Sequence, residues 1–340
     1  MKDRYGRNID YMRISITDRC NLRCRYCMPD GIAALPETEL LTYEEIRDVC
    51  RAAVRVGICN IKLTGGEPLM REGCAGLVGM LKGLPGIRQV TITTNGILLP
   101  RYLPALLKNG IDAVNISLDT LSEQTYKQIT GAPQLPRVLE GIRLALEAGL
   151  AVKLNCVLLK GVNDSEWQAL AALTKTMPID VRFIEMMPIG YGRNFAAVSN
   201  EMLLKELYRM YPELETDCRI HGNGPAVYYR IKGAQGSIGL ISAVHGKFCR
   251  QCNRLRLTAA GQLKPCLCYA DSVDVRSILR GSVREEETGR ISSVSTKEEG
   301  KREASLYHAF QEALEHKPRM HQFEVPGAVT EQGQMVQIGG

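Results

Sequence analysis

Long apolar runs and aromatic side chains are both scarce in this 340-residue sequence. Only 6% of its residues are aromatic, with a single tryptophan, and no apolar stretch approaches the roughly 18 residues of a membrane span. The first residues are charged and polar, unlike a secretory signal. The net charge of +6 is small and scattered, which argues against a nucleic-acid-binding or membrane-binding surface. We therefore expect a cytoplasmic protein, with neither nucleic acid nor membrane as a partner.

Two common site patterns are also missing. No GxGxxG motif follows the first predicted strand, which disfavours a dinucleotide-binding fold, and the five histidines show no metal-ligand spacing. What remains is a globular composition, 45% hydrophobic and 24% charged, with twelve cysteines. Without a secretory signal, so many cysteines indicate metal ligands or buried apolar side chains rather than disulfides.

Six of the cysteines fall into two groups of three. The first cysteine set is Cys20, Cys24 and Cys27, and the second cysteine set is Cys249, Cys252 and Cys266. Structural zinc sites and iron–sulfur clusters are normally held by four protein ligands. Three cysteines therefore leave one metal position open to an external molecule, as a site of chemistry requires. A single zinc or redox site with six thiolates remains the alternative at this stage.

Strand patterns alternate with helix patterns over the first half of the chain. The predicted strands are Tyr11–Thr17, Asn60–Thr64, Val90–Thr94, Ala113–Asp119, Ala151–Leu158 and Asp180–Met186. The predicted helices are Tyr43–Val56, Arg71–Leu84, Arg101–Lys108, Leu135–Ala148 and Ser165–Thr176. Six such units predict a parallel sheet with crossover helices. The pattern alone leaves an incomplete barrel and a doubly wound sheet both open.

Polar side chains occupy one face of each predicted strand. Strands covered on both faces would read as continuous apolar runs, so this polar face should line a lumen or cleft. Four cations lie on it: Arg13, Lys62, Lys153 and Arg182. Buried cations are costly unless they are compensated, so we expect an anionic occupant such as a polyphosphate. Internal pairing with Asp119 and Glu185 is the alternative.

Distinctive segments follow the strand ends, where parallel sheets place their active sites. The first cysteine set follows the first strand, and Thr64-Gly65-Gly66-Glu67-Pro68 closes the second. Gly65 and Gly66 would let the backbone approach a ligand closely, and Glu67 could orient an amine.

These motifs resemble the radical S-adenosylmethionine (SAM) superfamily. The superfamily-wide signature is Cys-x3-Cys-x2-Cys with Tyr26 before its third cysteine, followed by Gly-Gly-Glu-Pro. The second cysteine set, the Arg254-Leu255-Arg256 stretch and the terminal Gly339-Gly340 narrow the resemblance to the GTP 3′,8-cyclase family, and the likeness runs almost end to end.

The resemblance implies a fold and a division of the chain. The expected fold is an incomplete (βα)6 barrel of the TIM-like, radical SAM type, with a C-terminal extension closing its open end. We expect the partial barrel over residues 1–225, and the second cluster and Gly-Gly tail within residues 226–340.

The resemblance also assigns cofactors and contacts. Each cysteine set would hold a [4Fe-4S] cluster, the first binding SAM and the second meeting the guanine of GTP. The implied SAM contacts are Tyr26, Gly66, Ser117 and Met187. The implied GTP contacts are Arg13, Lys62, Thr93, Lys153, Arg254, Leu255 and Arg256. The family places its terminal glycines, here Gly339 and Gly340, inside the active site.

The implied reaction is the first step of molybdenum cofactor biosynthesis. A 5′-deoxyadenosyl radical would abstract the ribose 3′ hydrogen of GTP, and C3′ would attack guanine C8. The implied partners are a reductant such as flavodoxin or ferredoxin, the downstream cyclic pyranopterin monophosphate synthase, and a second copy of the chain in a homodimer. Two other functions stay open: a radical SAM peptide-modifying maturase with an auxiliary cluster, and a metal-sensing regulator.

Three features depart from the family pattern. Lys62 stands where many relatives have arginine, which keeps the charge but loses the bidentate fork. Cys268 stands where relatives usually have an aromatic residue, and it could compete with Cys266 as a ligand. Residues 283–303 are charge-dense and predict a solvated loop or a short surface helix.

Overall fold

One twelve-stranded sheet organises the protein. The computed structural model describes residues 1–281, 296–325 and 327–338. The strands are β1 (Tyr11–Ser15), β2 (Asn60–Thr64), β3 (Gln89–Thr94), β4 (Ala113–Ser117), β5 (Ala151–Val157), β6 (Ile179–Ile184), β7 (Glu215–Thr216), β8 (Val227–Arg230), β9 (Ser237–Ile241), β10 (Arg254–Leu257), β11 (Gln262–Lys264) and β12 (Val273–Asp274). The six predicted strands are confirmed, with ends shifted by one or two residues.

Eight of the strands run parallel, in the order β10-β1-β2-β3-β4-β5-β6-β9. Antiparallel strands continue the sheet at both edges, β11 and β12 beyond β10 and β8 and β7 beyond β9. Thus β1 and β6 each pair with a strand from the C-terminal third rather than with each other. The barrel is open, as expected. The predicted boundary near residue 225 lies within this continuous sheet, and it stays a prediction.

Most of the helices cover the outer face of the sheet, whereas the short α10 lies at the cavity. They are α1 (Tyr43–Arg55), α2 (Cys74–Lys82), α3 (Leu99–Lys108), α4 (Glu123–Thr130), α5 (Leu135–Glu147), α6 (Trp167–Thr176), α7 (Asn200–Met210), α8 (Val275–Arg280), α9 (Thr296–Glu315) and α10 (Met335–Ile338). Short 3-10 turns lie at Glu37–Glu39, Pro68–Met70, Gly190–Asn194 and Phe248–Gln251. The sequence interpretation missed α4, and its helix Arg71–Leu84 begins three residues before α2 and ends two residues after it. No helix in these described ranges is long and apolar enough to cross a membrane.

The alternation along the strands is confirmed by burial. On β1, Met12 and Ile14 are fully buried against the helices, whereas Arg13 is half-buried on the lumen side. Lys62 takes the same position on β2, between the buried Ile61 and Leu63. The apolar face therefore forms the main core, and the polar face forms the wall of the lumen.

The charge-dense segment is only partly described. Residues 283–295 lie outside the described residues, so the prediction for them stays open. Residues 296–303 open α9, which is a twenty-residue helix rather than a short one. Its later turns bury Leu306, Phe310 and Ala313 in the main core, which explains its length.

Candidate active site

A cavity of about 330 Å³ lies between the barrel and the C-terminal region. Both cysteine sets line it. It is also lined by most of the other predicted contacts: Arg13, Tyr26, Gly66, Thr93, Ser117, Met187, Arg254 and Arg256. The structure therefore brings together residues that are more than 200 positions apart in the chain.

The two cysteine sets approach the cavity from opposite ends of the lumen. Cys20 follows the carboxyl end of β1, whereas Cys252 precedes the amino end of β10, which runs parallel to β1. Five strand residues at about 3.3 Å each separate these ends by roughly 16 Å. The cavity therefore separates the two cysteine sets and leaves room for a substrate between them.

Close backbone packing supports the first cysteine set. The N–H of Gly66 donates to the Thr17 carbonyl at 2.7 Å, and the N–H of Glu67 donates to the Arg19 carbonyl at 2.8 Å. A Cβ atom at residue 66 would lie 2.2 Å from the Arg19 oxygen. The glycines therefore allow the backbone of the cysteine loop to pack closely against the β2 loop. This packing accounts for the Gly-Gly motif, and no ligand contact is needed to explain it.

Glu67 has a structural position that differs from the expected one. Its carboxylate is fully buried and does not line the cavity. It accepts hydrogen bonds from the Thr94 hydroxyl at 2.7 Å and from the N–H groups of Asn95 and Leu69 at 2.6 and 3.1 Å. Burial raises its pKa to about 7 despite these donors. Glu67 ties the β2 and β3 loops together, and the suggestion that it orients an amine is not supported by this geometry.

Burial disfavours the thiolate forms of the first cysteine set. It raises the pKa values of all three thiols, that of Cys27 to about 12. The N–H of Val336 on α10 donates to the Cys27 sulfur, so the C-terminal helix reaches this set. The hydroxyl of the neighbouring Tyr26 donates to the Asp119 carboxylate at 2.7 Å. Gly339 and Gly340, which follow α10, lie outside the described residues.

The second cysteine set has a more cationic environment. Burial opposes ionisation of Cys252, but the charges of Arg254 and Lys317 outweigh it and lower the pKa of this thiol to about 6. A hydrogen bond from the Cys268 thiol lowers the pKa of Cys266 and raises that of Cys268. Cys268 is the more buried of the two, whereas Cys266 is partly exposed at the cavity wall, which favours Cys266 as the third ligand.

A row of three cations crosses neighbouring strands. Arg13 on β1 stands opposite Lys62 on β2 and Arg256 on β10. Burial lowers the pKa values of all three, and the repulsion of nearby cations adds to this effect. Within the described part of the chain, Lys62 makes no hydrogen bond or ion pair. An anion bound beside this row would lower the electrostatic cost of keeping these cations close together and buried.

The other two lumen cations are held by protein groups. Lys153 forms an ion pair with Asp180 at 2.7 Å and also contacts the His221 carbonyl, while Arg182 donates to Asn115 at 2.7 Å. The alternative of pairing with Asp119 and Glu185 is not what the structure contains. Asp119 accepts from Tyr26 and from the backbone of Val157, and Glu185 accepts from backbone N–H groups after β9 and at the start of α7.

Asp180 is therefore a lumen residue that sequence reasoning missed. It shares the polar face of β6 with Arg182, and that alternation was a usable signal. His221, from the loop before β8, has one ring nitrogen 2.9 Å from Asp180 and the other 3.0 Å from Asp217, and it stacks on Tyr228. No spacing pattern in the sequence pointed to this group.

Three predicted contacts lie apart from the cavity wall. Lys62 and Lys153 are on the lumen face but do not line this cavity, and Leu255 is fully buried in the main core. The backbone of Leu255 is paired with Met12 in the sheet. Its side chain has no path to a ligand in this arrangement.

Each cysteine set supplies the type of donor that an iron–sulfur cluster uses. Over the ranges that the structure describes, no three His, Cys, Asp or Glu side chains are close enough to hold one ion. The cysteines of a [4Fe-4S] cluster each bind a different iron, so they stand further apart than the ligands of a single ion. Each set supplies three thiols at the wall of a shared cavity. Three thiols in a set could hold three irons of a [4Fe-4S] cluster and would leave the fourth iron without a protein ligand.

Two family models match consecutive parts of the chain. The radical SAM superfamily matches residues 14–174, and Molybdenum Cofactor Synthesis C matches residues 179–323. The chain is a radical SAM protein, the class that binds SAM and an iron–sulfur cluster.

Individual relatives narrow the assignment. The GTP 3′,8-cyclase of Pelotomaculum thermopropionicum is 47% identical over 285 residues, which cover 82% of this chain and 88% of that protein. The GTP 3′,8-cyclase of Petrotoga mobilis is 42% identical over the full length of both chains. The chain belongs to the GTP 3′,8-cyclase family.

Solved structures agree on the fold. Streptococcus suis SuiB bound to S-adenosylmethionine superposes with a TM-score of 0.62 at 14% identity, over 82% of this chain and 66% of that one. SuiB bound to its precursor peptide SuiA gives a TM-score of 0.52, also at 14% identity, over 97% of this chain and 76% of that one. At this identity the likeness concerns the fold alone, so the peptide of SuiB does not favour a maturase function here.

Gly66→Ala tests the packing of the first cysteine loop. The added methyl group must push the β2 loop away from Arg19 and break two backbone hydrogen bonds, so we expect unfolding to become easier by about 2 kcal/mol. Urea unfolding of the metal-free chain measures this. Gly76→Ala is the matched control, because a Cβ atom there meets nothing within 4 Å and alanine favours the helix. Equal stability of the two variants would contradict this account.

Alkylation of the metal-free chain tests the contrast between the two sets. The thiolate is the reactive form, so iodoacetamide at about pH 7 should label Cys252 well before Cys27. Between about pH 7 and pH 9, labelling of Cys252 should stay nearly constant while that of Cys27 rises about tenfold per pH unit. Peptide mass spectrometry separates the sites, and the fully buried Cys50 reports unfolding. Identical pH profiles for Cys252 and Cys27 would refute the assigned pKa shifts.

Proposed function

We propose that this chain catalyses the conversion of GTP to 3′,8-cyclo-7,8-dihydroguanosine 5′-triphosphate, the first step of molybdenum cofactor biosynthesis. The observation that carries the proposal is the arrangement of the cavity, which has a cysteine set at each end and two cations of the row, Arg13 and Arg256, in its wall. That arrangement suits one nucleoside triphosphate and one SAM molecule. The identity of the relatives supports GTP as the nucleotide.

We assign Cys20, Cys24 and Cys27 to a [4Fe-4S] cluster that binds SAM. When bound and reduced, this cluster supplies the electron that cleaves SAM into methionine and a 5′-deoxyadenosyl radical. Tyr26, Gly66, Ser117 and Met187 lie around the same end of the cavity and would contact SAM. The mostly apolar wall keeps water away from the radical, which protects it from side reactions.

We assign Cys249, Cys252 and Cys266 to a second [4Fe-4S] cluster whose open iron meets the guanine. Arg254 and Arg256 project from β10 beside this set, and arginine forks match purine and phosphate oxygens. Arg13 and Lys62 would hold the triphosphate, with Thr93 near the ribose. The Lys153–Asp180 pair must open before Lys153 can join them.

The placement of the substrate determines the chemistry. Holding the ribose between the two ends of the cavity would present its 3′ hydrogen to the radical and its C3′ carbon to guanine C8. The family resemblance assigns Gly339 and Gly340, which lie outside the described residues, to the active site, and Met335 and Val336 of the preceding α10 line the cavity.

Other proteins complete the reaction sequence. A one-electron donor of the flavodoxin or ferredoxin type would reduce the first cluster, and a cyclic pyranopterin monophosphate synthase would use the product. The homodimer stays a prediction.

Nucleotide-dependent SAM cleavage tests the proposal. After anaerobic reconstitution with iron and sulfide, the chain is given dithionite and SAM, and 5′-deoxyadenosine is quantified with GTP, ATP, CTP or no nucleotide. We expect strong stimulation by GTP alone, lost in Cys249→Ala and retained in the control Cys218→Ala, whose thiol is exposed and outside the cavity.

Other results would change the assignment. Equal cleavage with every nucleotide would keep radical SAM chemistry but move the substrate to another class, such as the peptide of a maturase. No cleavage by protein with its full iron content would contradict the enzyme assignment.

A further inference from the structure

The second cysteine set comes from two separate stretches of chain. Cys249 and Cys252 lie in the turn before β10, and Cys266 follows β11. A metal cluster needs all three thiols at fixed positions, so something must hold the two stretches together. Two buried cations do this. Lys317 lies in the segment that follows α9, and Arg7 binds the backbone of that segment.

Lys317 is the first of these cations. It is only 2% exposed, and its ammonium donates to the carbonyls of Arg254 and Pro265, both at 2.7 Å. Arg254 lies two residues after Cys252, and Pro265 directly precedes Cys266. One ammonium group therefore ties the backbones beside two cysteines of the set.

Arg7 is the second cation and comes from the other end of the chain. Its guanidinium donates to the Cys249 carbonyl at 2.9 Å, to the Arg319 carbonyl at 3.1 Å and to the Pro318 carbonyl at 2.7 Å. Asp3 fixes it through an ion pair of 2.6 Å in which both side chains are almost fully buried. Arg7 thus attaches the third cysteine to the segment that carries Lys317.

The two cations differ in how their charges are balanced. Asp3 neutralises Arg7, but over the described residues Lys317 has carbonyl partners and no carboxylate. Burial lowers the pKa of Lys317, and the negative charges of Cys252 and Cys266 oppose that effect. A buried lysine is tolerated where an anionic centre lies beside it. The second cysteine set is that centre.

We propose that Arg7 and Lys317 are positioning residues for a cluster on the second cysteine set, and that Lys317 also offsets the negative charge of this cluster. The inference rests on the second cluster proposed above. Outer-shell groups of this kind orient metal ligands and tune the metal centre, and their loss weakens metal binding about 10- to 100-fold.

The test isolates the second cluster in the full chain. Cys20, Cys24 and Cys27 are all replaced by alanine, so that bound iron reports the second set alone. We expect Lys317→Met to lose iron to a chelator about 10-fold faster and to shift the midpoint potential to more negative values, because a positive charge favours the reduced cluster. Lys317→Arg should restore the potential, since it keeps the charge.

The variant Arg7→Lys tests the positioning role of Arg7 separately from the effect of its charge. Its charge is retained beside Asp3, but the guanidinium that spans three carbonyls is lost. We expect faster iron loss with an unchanged midpoint potential. A merely structural role for both cations would not produce this difference between the two variants.

Lys82→Met is the control for the loss of one lysine charge. Lys82 pairs with Asp112 at 2.9 Å and lies away from the cavity that both cysteine sets line. We expect native iron retention and a native potential. Equal iron loss in Lys82→Met and Lys317→Met, or a native potential in Lys317→Met, would overturn the proposal. If the parent with native Lys317 binds no iron, the second cluster itself is refuted.

Discussion

The arrangement of the active site depends on the parallel pairing of β10 with β1. That pairing sets Arg256 beside Arg13, while β2 sets Lys62 on the other side, so three cations share one row of the sheet. Adjacent strands are about 4.8 Å apart, and burial removes most of the water that would screen these charges. A polyanion bound beside this row would favour the charged forms of cations whose pKa values burial lowers. The proposed binding of a triphosphate here would therefore depend on the register of the sheet.

The same pairing places the two cysteine sets. β1 leads into the first cysteine set at its carboxyl end, and β10 leaves the second set at its amino end. The two sets consequently face each other along the lumen instead of merging into one site. Their surroundings also differ: the first set is buried with little positive charge, whereas Arg254 and Lys317 surround the second. This asymmetry agrees with the proposed roles, in which a cluster on the first set would activate SAM and a cluster on the second set would meet an anionic substrate.

Local sequence signals predicted much of this architecture. Period-two alternation placed Arg13 and Lys62 on the lumen face, and the cysteine spacings identified both sets. Long-range contacts could not be predicted in this way. The strand β10, which pairs with β1, lies about 240 residues further along the chain. Arg7 and Lys317 donate hydrogen bonds to backbone carbonyls, and such contacts do not depend on the side-chain pattern of the accepting segment. Some missed features did have signals, since Ser122 and Gly131 cap α4 in the usual manner.

GTP binding to the reconstituted protein tests the role of the cation row most directly. Calorimetric titration compares the native chain, Lys62→Met and the control Lys82→Met, whose lysine pairs with Asp112 and lies away from the cavity. Loss of one charged contact should weaken GTP binding in Lys62→Met about 10-fold or more, while binding of guanosine, which has no phosphate, stays unchanged. Native GTP affinity in Lys62→Met, or an equal loss for guanosine, would contradict the account.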